Sequence, residues 1–186
     1  MEIERKFLVL NAELITHLTK WGYAEDISQY YIQVGEFEER YRRKGDKCFH
    51  TIKKKVDDMQ REEIEVEVSN ECFEFNKRNR LEDSIILQKK RYVMDFEGDP
   101  SQPETMNKHY YKMEVDVYEN EYKGLVIAEI EFKTIEEANS FIPPSWLVDI
   151  TDDEKYKNQT LALNSYPAPY KDTSIEDFTC INSNEY

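Results

Sequence analysis

The sequence predicts an α+β chain built mainly of antiparallel strands. Three observations carry that prediction. Apolar residues recur with period two in segment after segment. Turn and cap residues separate those segments and leave room for short helices. The polar faces of the strands are almost wholly ionisable, where an ordinary solvated face mixes Thr, Ser, Lys and Gln.

Taken in order, residues 2–9 alternate charge against Ile3, Phe7 and Val9 as a first strand. Asn11 is placed to cap a helix from Ala12 to Trp21, with Leu14, Leu18 and Trp21 on one face and Gly22 as its stop. Residues 27–34 form the next strand. Residues 36–44 and 47–55 form a hairpin around Lys44-Gly45-Asp46. In residues 61–68, Glu63, Glu65 and Glu67 share one face, and Ile64, Val66 and Val68 the other. Ser69 caps a short helix carrying Cys72, Phe73 and Phe75. Strands follow at 85–96 and 109–119, joined by a loop over 97–108 that is long enough to cover a cavity mouth or reach a partner. A strand over 125–133 precedes a Thr134/Glu137 capping box, a helix to Phe141 and the stop Pro143-Pro144. Thr151 and Glu154 repeat the capping pattern before a helix over 152–163. Residues 1–164 read as one domain. Residues 165–186, with Pro167, Pro169 and scattered aromatics, read as a tail whose order the composition leaves open.

Composition narrows the function. The 186 residues hold 25 Lys plus Arg and 39 Asp plus Glu, a net charge of −14. Such a chain is not expected to coat nucleic acid or an anionic membrane. No stretch approaches the roughly 18–20 apolar residues that span a bilayer, and Met1-Glu2-Ile3-Glu4-Arg5-Lys6 is no secretory signal. Cys48, Cys72 and Cys180 make neither a disulfide framework nor a metal-ligand spacing, so a reducing cytoplasm is the expected setting. Cys48 and Cys72 read as small buried groups, and His17, His50 and His109 share no catalytic or zinc spacing.

The charges keep strand period. Glu2, Glu4 and Lys6 share a face; so do Glu38, Arg40 and Arg42; Lys53 and Lys55; Glu63 and Glu65; Lys89 and Arg91; Glu114 and Asp116; and Glu129, Glu131 and Lys133. Lys54 points the other way, as a surface lysine. The opposite faces hold Ile64 and Val66, then Met113, Val115 and Val117, then Ile130 and Phe132. They need apolar cover, which the intervening helices can supply. Two arrangements satisfy this pattern. One is a solvated sheet face laced with salt bridges. The other is a closed barrel whose lumen holds the charges. Mixed acids and bases in a lumen suit a metal–polyphosphate ligand, since carboxylates hold hard divalent cations and Arg and Lys hold phosphate oxygens.

The motifs resemble a known family. Glu2-Ile3-Glu4-Arg5-Lys6 resembles the E-x-E-x-K opening of the CYTH superfamily, the triphosphate tunnel metalloenzymes. The later segments match it in order: Arg40-Tyr41-Arg42 as R-x-R, Thr51-Ile52-Lys53 as the lysine strand, Glu63-Ile64-Glu65 as E-x-E, and Lys89-Lys90-Arg91 as K-x-R. Glu114-Val115-Asp116 then resembles the acidic strand, and Glu129-Ile130-Glu131 the second E-x-E. Phe141-Ile142-Pro143-Pro144-Ser145-Trp146 and Lys155-Tyr156-Lys157-Asn158 resemble the ending of its short bacterial members. The resemblance covers residues 1–164.

It implies an eight-stranded antiparallel tunnel with a charged lumen and helices packed outside. It also implies Mg²⁺- or Mn²⁺-dependent hydrolysis of a triphosphate, with inorganic tripolyphosphate cleaved to pyrophosphate and phosphate. Carried onto this chain, Glu2, Glu4, Asp116, Glu129 and Glu131 are the expected metal ligands, with Asp116 alternatively orienting a lysine and Glu114 a weaker candidate. Lys6, Arg40, Arg42, Lys53, Lys89 and Arg91 are expected to grip the triphosphate. Glu63, Glu65 and Lys6 are the expected catalytic groups, the two carboxylates serving a second metal or the attacking water. Lys55 belongs to the rim, Arg61 to the opposite end, and Lys155 and Lys157 to a helix able to plug one mouth. The alternatives are an adenylyl cyclase of the class IV type, a nucleoside or thiamine triphosphatase, and a non-catalytic polyphosphate-binding module. A monomer or a homodimer is expected: the outward apolar faces of strands 111–117 and 126–132 either form a dimer face or are covered by helices.

Overall fold

The computed structural model describes residues 2–55, 60–97 and 110–163. Strands β1 (Glu2–Val9), β2 (Glu25–Gln33), β3 (Phe37–Lys44), β4 (Lys47–Lys55) and β5 (Gln60–Val68) are followed by β6 (Leu87–Glu97), β7 (Tyr110–Tyr118), β8 (Val126–Glu131) and the short β9 (Leu147–Asp149). Helices α1 (Ala12–Trp21), α2 (Asn70–Asn76), α3 (Ile135–Ser140) and α4 (Asn158–Ala162) lie between and after them. The strands form one sheet in the order β5-β4-β3-β2-β6-β7-β8-β1-β9, and every pairing is antiparallel. The first and last of the long strands also meet: β5 returns to β1 at Glu2↔Arg61 and Ile3↔Gln60. The ninth strand was not expected from the sequence; at three residues it is too short to show a period.

Local signals act as read. Asn11 accepts from the Leu14 N–H at 2.9 Å, and Ser69 from the Cys72 N–H at 3.2 Å. Gly22 ends α1, its N–H bonded to the Leu18 carbonyl. A Cβ at Gly22 would stand 2.8 Å from the Tyr92 ring, so the helix end approaches the sheet only because no side chain intervenes. Gly45 turns the β3–β4 hairpin at φ +55°. Thr134 accepts from the Glu137 N–H at 3.1 Å, while the Glu137 carboxylate accepts from Lys133 N–H, one residue earlier than a reciprocal capping box requires.

The helix expected over 152–163 is corrected to a 3-10 turn, Glu154–Tyr156, and the five-residue α4. Thr151 does not cap it. Its hydroxyl accepts from the Lys6 N–H at 3.1 Å and donates to Asp149 at 2.6 Å, and Asp153 caps the turn instead. Thr151 and Ile150 thus satisfy the backbone of Lys6 where β1 has neither β5 nor β9 beside it.

Helices cover only part of the outward face. Under α1 and α3 lie Phe7, Tyr92, Met113, Val115, Ile130, Phe132 and Phe141, all buried. Arg5 fastens α3, donating to the Ala138 and Phe141 carbonyls at 2.8 Å each and pairing with Asp149. Met113, Val115 and Ile130 are therefore core, so for these residues helix cover, and not a dimer face, is the alternative found. Under α2, Tyr30 stacks on Tyr41 and donates to the Phe73 carbonyl, with Cys48 buried beside them. Beyond α2, Ile64 and Val66 are not covered as expected: they are 68% and 49% exposed, and Ile52 and Phe37 beside them are open too. Among the described residues no helix is long and apolar enough to cross a membrane. The 98–108 part of the expected loop and the 165–186 tail lie outside the described residues.

Two substitutions test this division. Phe7→Ala, at a fully buried ring, is expected to cost about 3–5 kcal/mol of unfolding free energy. Ile64→Thr is expected to change it by less than about 0.5 kcal/mol. Denaturant unfolding measures both.

Candidate active site

The strand face carrying the charges changes character along its length. Lys6 shares its face with Leu8, Glu129 with Ile127, Asp116 with Tyr118, and Lys89 with Leu87. Leu8, Ile127, Tyr118 and Leu87 pack with Tyr31 and with Leu161 and Ala162 of α4 in an apolar cluster. The other half of that face lines a cavity of about 390 Å³ to which all eight long strands contribute.

From β1 come Glu4 and Lys6; from β3, Glu38, Arg40, Arg42 and Lys44; from β4 and β5, Lys53 and Glu63. Strand β6 supplies Lys89 and Arg91, β7 Lys112 and Glu114, and β8 Glu129 and Glu131. Nine lining side chains are cationic and eight are carboxylates, and none among the described residues is aromatic or aliphatic.

The charges are held in alternating contacts. Lys6 pairs with Glu129, and with Glu4 at 3.6 Å. Arg91 reaches Asp116 at 2.7 Å and Glu129 at 2.8 Å, and pairs with Glu114. Lys89 meets Asp116 at 2.5 Å. Across the cavity, Lys53 meets Glu63 at 2.5 Å, Arg40 stands 3.9 Å from Glu63, and Arg42 meets Glu65 at 2.7 Å. Thr51 donates to the same Glu65 oxygen. Arg40 and Arg42 each bury an Nε–H that has no hydrogen-bond partner among the described residues.

Burial and neighbours set the protonation states. Burial would raise the Glu129 carboxyl, yet Lys6, Arg91 and Lys89 hold it well below the usual range. Asp116 behaves alike: burial raises it and Arg91 and Lys89 more than offset that. Burial works against the charge on Arg40 and Arg91, but Tyr31 and the carboxylates beside Arg40, and the carboxylates around Arg91, hold both above the ordinary guanidinium value. Arg42 goes the other way, lowered by burial and by Arg40 beside it. Burial pushes Lys89 down to about 8 despite Asp116.

Most expected site residues therefore meet here: Glu4, Lys6, Arg40, Arg42, Lys53, Glu63, Lys89, Arg91, Glu129 and Glu131 all line the cavity. Asp116 does not; it is wholly buried beneath Lys89 and Arg91. Glu65 stands behind Arg42 without lining the cavity. Of the expected plug lysines, Lys157 lines the cavity and pairs with Glu154, whereas Lys155 is exposed and outside it. Lys133 follows the end of β8, exposed, and does not line the cavity. The side chains of Glu2, Lys55 and Arg61 lie outside the described parts of the structure.

Sequence reading missed Gln29, Gly35, Glu36, Lys44, Lys112, Glu154, Asn158 and Gln159 in the lining. Lys44 shares period with Arg42, and Lys112 with Glu114, so parity carried through would have found those two. Gln29 sits among uncharged inward residues and gave no signal.

The carboxylates suit a hard cation. Glu4 stands directly opposite Glu131 across β1 and β8, and Glu129 opposite Glu114 across β8 and β7. Like charges so placed repel, and oxygen ligands are what a divalent cation takes. Among the described residues no three such groups yet converge as a ready-made metal site; Lys6 and Arg91 hold them instead.

The pH dependence follows by sign. For Glu129 and Asp116 the folded chain holds carboxylates below their ordinary 4.5 and 3.8, so the stability they contribute is present above those values. It is lost as pH falls through the lower folded values. Thermal melting is expected to weaken progressively on acidification below about pH 4.5, less steeply in Glu129→Gln. Lys89 is the reverse case: the unfolded chain holds its proton from about 8 to 10.5 while the folded chain does not, so its burial penalty eases as pH rises through that window. The cavity loses one cation in the same step, so calorimetry is expected to find tripolyphosphate binding weaker above about pH 8.

Comparison with known proteins gives relatives over nearly the whole chain. No protein-family model matches it. It is 30% identical to the inorganic triphosphatase of Nitrosomonas europaea over 167 residues, covering 88% of this chain and 97% of that one. It is 32% identical to the inorganic triphosphatase of Acetivibrio thermocellus over 175 residues, covering 89% and 95%. A crystal structure of an inorganic triphosphatase superposes with a TM-score of 0.58 at 29% identity, covering 88% of this chain and 95% of the other. Relatives of that identity and coverage show that the chain belongs to the inorganic triphosphatases of the CYTH, or triphosphate tunnel, superfamily.

Proposed function

We propose that the chain hydrolyses inorganic tripolyphosphate to pyrophosphate and orthophosphate with the help of a divalent cation, Mg²⁺ or Mn²⁺. The observation that carries this reading is the lining of the cavity: nine cations interleaved with carboxylates and no aromatic or aliphatic side chain among the described residues. A polyphosphate needs charge and donors on all sides. A nucleoside or thiamine group wants an apolar or stacking surface, and nothing described in the lining supplies one. The shared name of the relatives points the same way.

The sheet is read as closing into a tunnel around the substrate. Two facts support closure: the β5–β1 pairing, and a single cavity lined from all eight long strands. Within it, Lys6, Arg40, Arg42, Lys53, Lys89 and Arg91 take the phosphate oxygens. The buried Nε–H groups of Arg40 and Arg42, without a partner among the described residues, suit this role, because an unmade hydrogen bond on a buried donor is costly and an anion would supply it. Glu4, Glu129 and Glu131 would hold the cation, with Glu2 as a fourth candidate from the same strand face as Glu4. The cation supplies charge neutralisation on the phosphoryl oxygens and orders the reacting groups. Asp116, both of whose oxygens are engaged by Lys89 and Arg91, suits orienting those cations better than ligating metal.

Glu63 pairs with Lys53 at 2.5 Å and lines the cavity, a position suited to orienting a water toward the terminal phosphorus. Glu65 holds Arg42 and Thr51 in place behind it. The water oxygen bonds to the terminal phosphorus, the bridging P–O bond breaks, and the bridging oxygen leaves on pyrophosphate. The water's protons pass to solvent or to the released phosphate. Lys6, bridging Glu129 and Glu4, would exchange those carboxylates for phosphate when both ligands enter.

The test is release of phosphate and pyrophosphate from tripolyphosphate, ATP and thiamine triphosphate, each with Mg²⁺, Mn²⁺ or EDTA. Tripolyphosphate is expected to be the best substrate, EDTA to abolish turnover, and Glu4→Gln to lower kcat by about a hundredfold or more. Cyclic AMP with pyrophosphate from ATP would move the chain to cyclase chemistry. Tight binding without turnover of any substrate would make it a polyphosphate-binding module.

A further inference from the structure

One uncharged side chain meets the cations where the charged half of the strand face gives way to the apolar half. Asn158 opens α4, and its Oδ1 accepts from the Tyr118 hydroxyl at 2.6 Å and from Lys89 Nζ at 3.3 Å. Two donors on one atom settle the orientation of the amide, because an ammonium has no lone pair and meets only the oxygen. Lys89 has three N–H bonds. Asp116 takes one at 2.5 Å and Asn158 another, which leaves one for whatever enters the cavity that Lys89 lines. The Tyr118 ring stands 5.3 Å from the same Nζ. A lysine stem is flexible, so its aim depends on fixed partners. Asn158 is such a partner: α4 is anchored by buried Leu161 and Ala162 and by the Ile85 N–H bonded to the Ala162 carbonyl at 2.7 Å.

We propose that Asn158 is a positioning residue of the site: acting through Lys89, it keeps the ammonium aimed into the cavity, where Lys89 meets a phosphate of the bound triphosphate. This rests on reading the cavity as the triphosphate site. It gives α4, which carries no lysine of its own, a part in the reaction through Asn158. The Tyr118 hydroxyl has the supporting part of holding the Asn158 oxygen in place.

The experiment is a double-mutant cycle, Asn158→Ala against Lys89→Met, with Tyr118→Phe as a variant that keeps the ring and removes only the hydroxyl. Each protein is measured for tripolyphosphate hydrolysis, for tripolyphosphate binding by calorimetry and for thermal melting. Asn158→Ala is expected to lower kcat/KM about tenfold, mostly in kcat, and Tyr118→Phe about threefold. In the Lys89→Met background Asn158→Ala is expected to cost less than about twofold more, because its partner is already gone. An equal loss in both backgrounds would overturn the proposal, since Asn158 would then act directly or only through the fold. So would Asn158→Ala with unchanged kinetics. If the wild-type protein binds tripolyphosphate without cleaving it, the same cycle is read in dissociation constants with the same two outcomes. A wild-type protein that neither binds nor cleaves tripolyphosphate overturns the reading of the cavity itself, and Asn158 with it.

Discussion

Asp116 has no contact with solvent, yet it carries charge, and the site is organised around that fact. A buried carboxylate is tolerated only when paired and hydrogen-bonded. Asp116 has Lys89 on one oxygen and Arg91 on both. Arg91 carries the chain onward to Glu114 and Glu129, and Glu129 passes it to Lys6 and Glu4. Strands β6, β7, β8 and β1 are thereby tied on their charged face as well as by their ladders. Removing one member would leave its neighbours buried and unmatched, so the network resists change at any single position.

The same alternation that balances the charges prepares the site. A cavity lined only by cations would repel itself, and one lined only by carboxylates would reject phosphate. Interleaving instead sets carboxylates beside cations, as in Lys6 with Glu129, Arg91 with Glu114 and Glu129, and Lys53 with Glu63. Arg40 and Arg42 show where this balance is incomplete, each with a buried Nε–H that has no partner among the described residues. The apolar cluster of Leu8, Ile127, Leu87 and Tyr31 beyond the charges gives the cavity a dry end, and α4 is fastened there. Lys89 sits at that boundary, which is why burial weighs on its charge more than its ion pair offsets.

Outside, the structure is uneven. Helices α1 and α3 bury the faces of β1, β7 and β8, and α2 buries the β2–β4 corner beside the hairpin. The outward side of β4 and β5 at Ile52, Ile64 and Val66 has no such cover among the described residues. Alternation alone could not have separated these cases, because Ile64 and Val66 read like Met113 and Val115 in the sequence. Which apolar face meets a helix depends on where the connections run.

The sequence by itself determined the strands, their facing and most of the site. Period two is a local property of extended backbone, so Lys6, Arg40, Arg42, Lys53, Lys89, Arg91, Glu4, Glu63 and Glu129 were assigned to one face without knowing which strands are neighbours. The caps at Asn11, Ser69 and Thr134 were legible for the same reason, since each bonds within three residues of itself. Tertiary structure decided what depends on distant partners. Thr151 carries the same cap pattern as Thr134, but the backbone of Lys6, far away in the chain, claims its hydroxyl, and the expected long helix becomes a turn and α4. Asp116 and Glu114 look alike in the sequence, yet only the packing of Lys89 and Arg91 over Asp116 removes it from the cavity. Asn158 has no charge and no period to mark it; only the folded chain brings its oxygen to Lys89 and Tyr118.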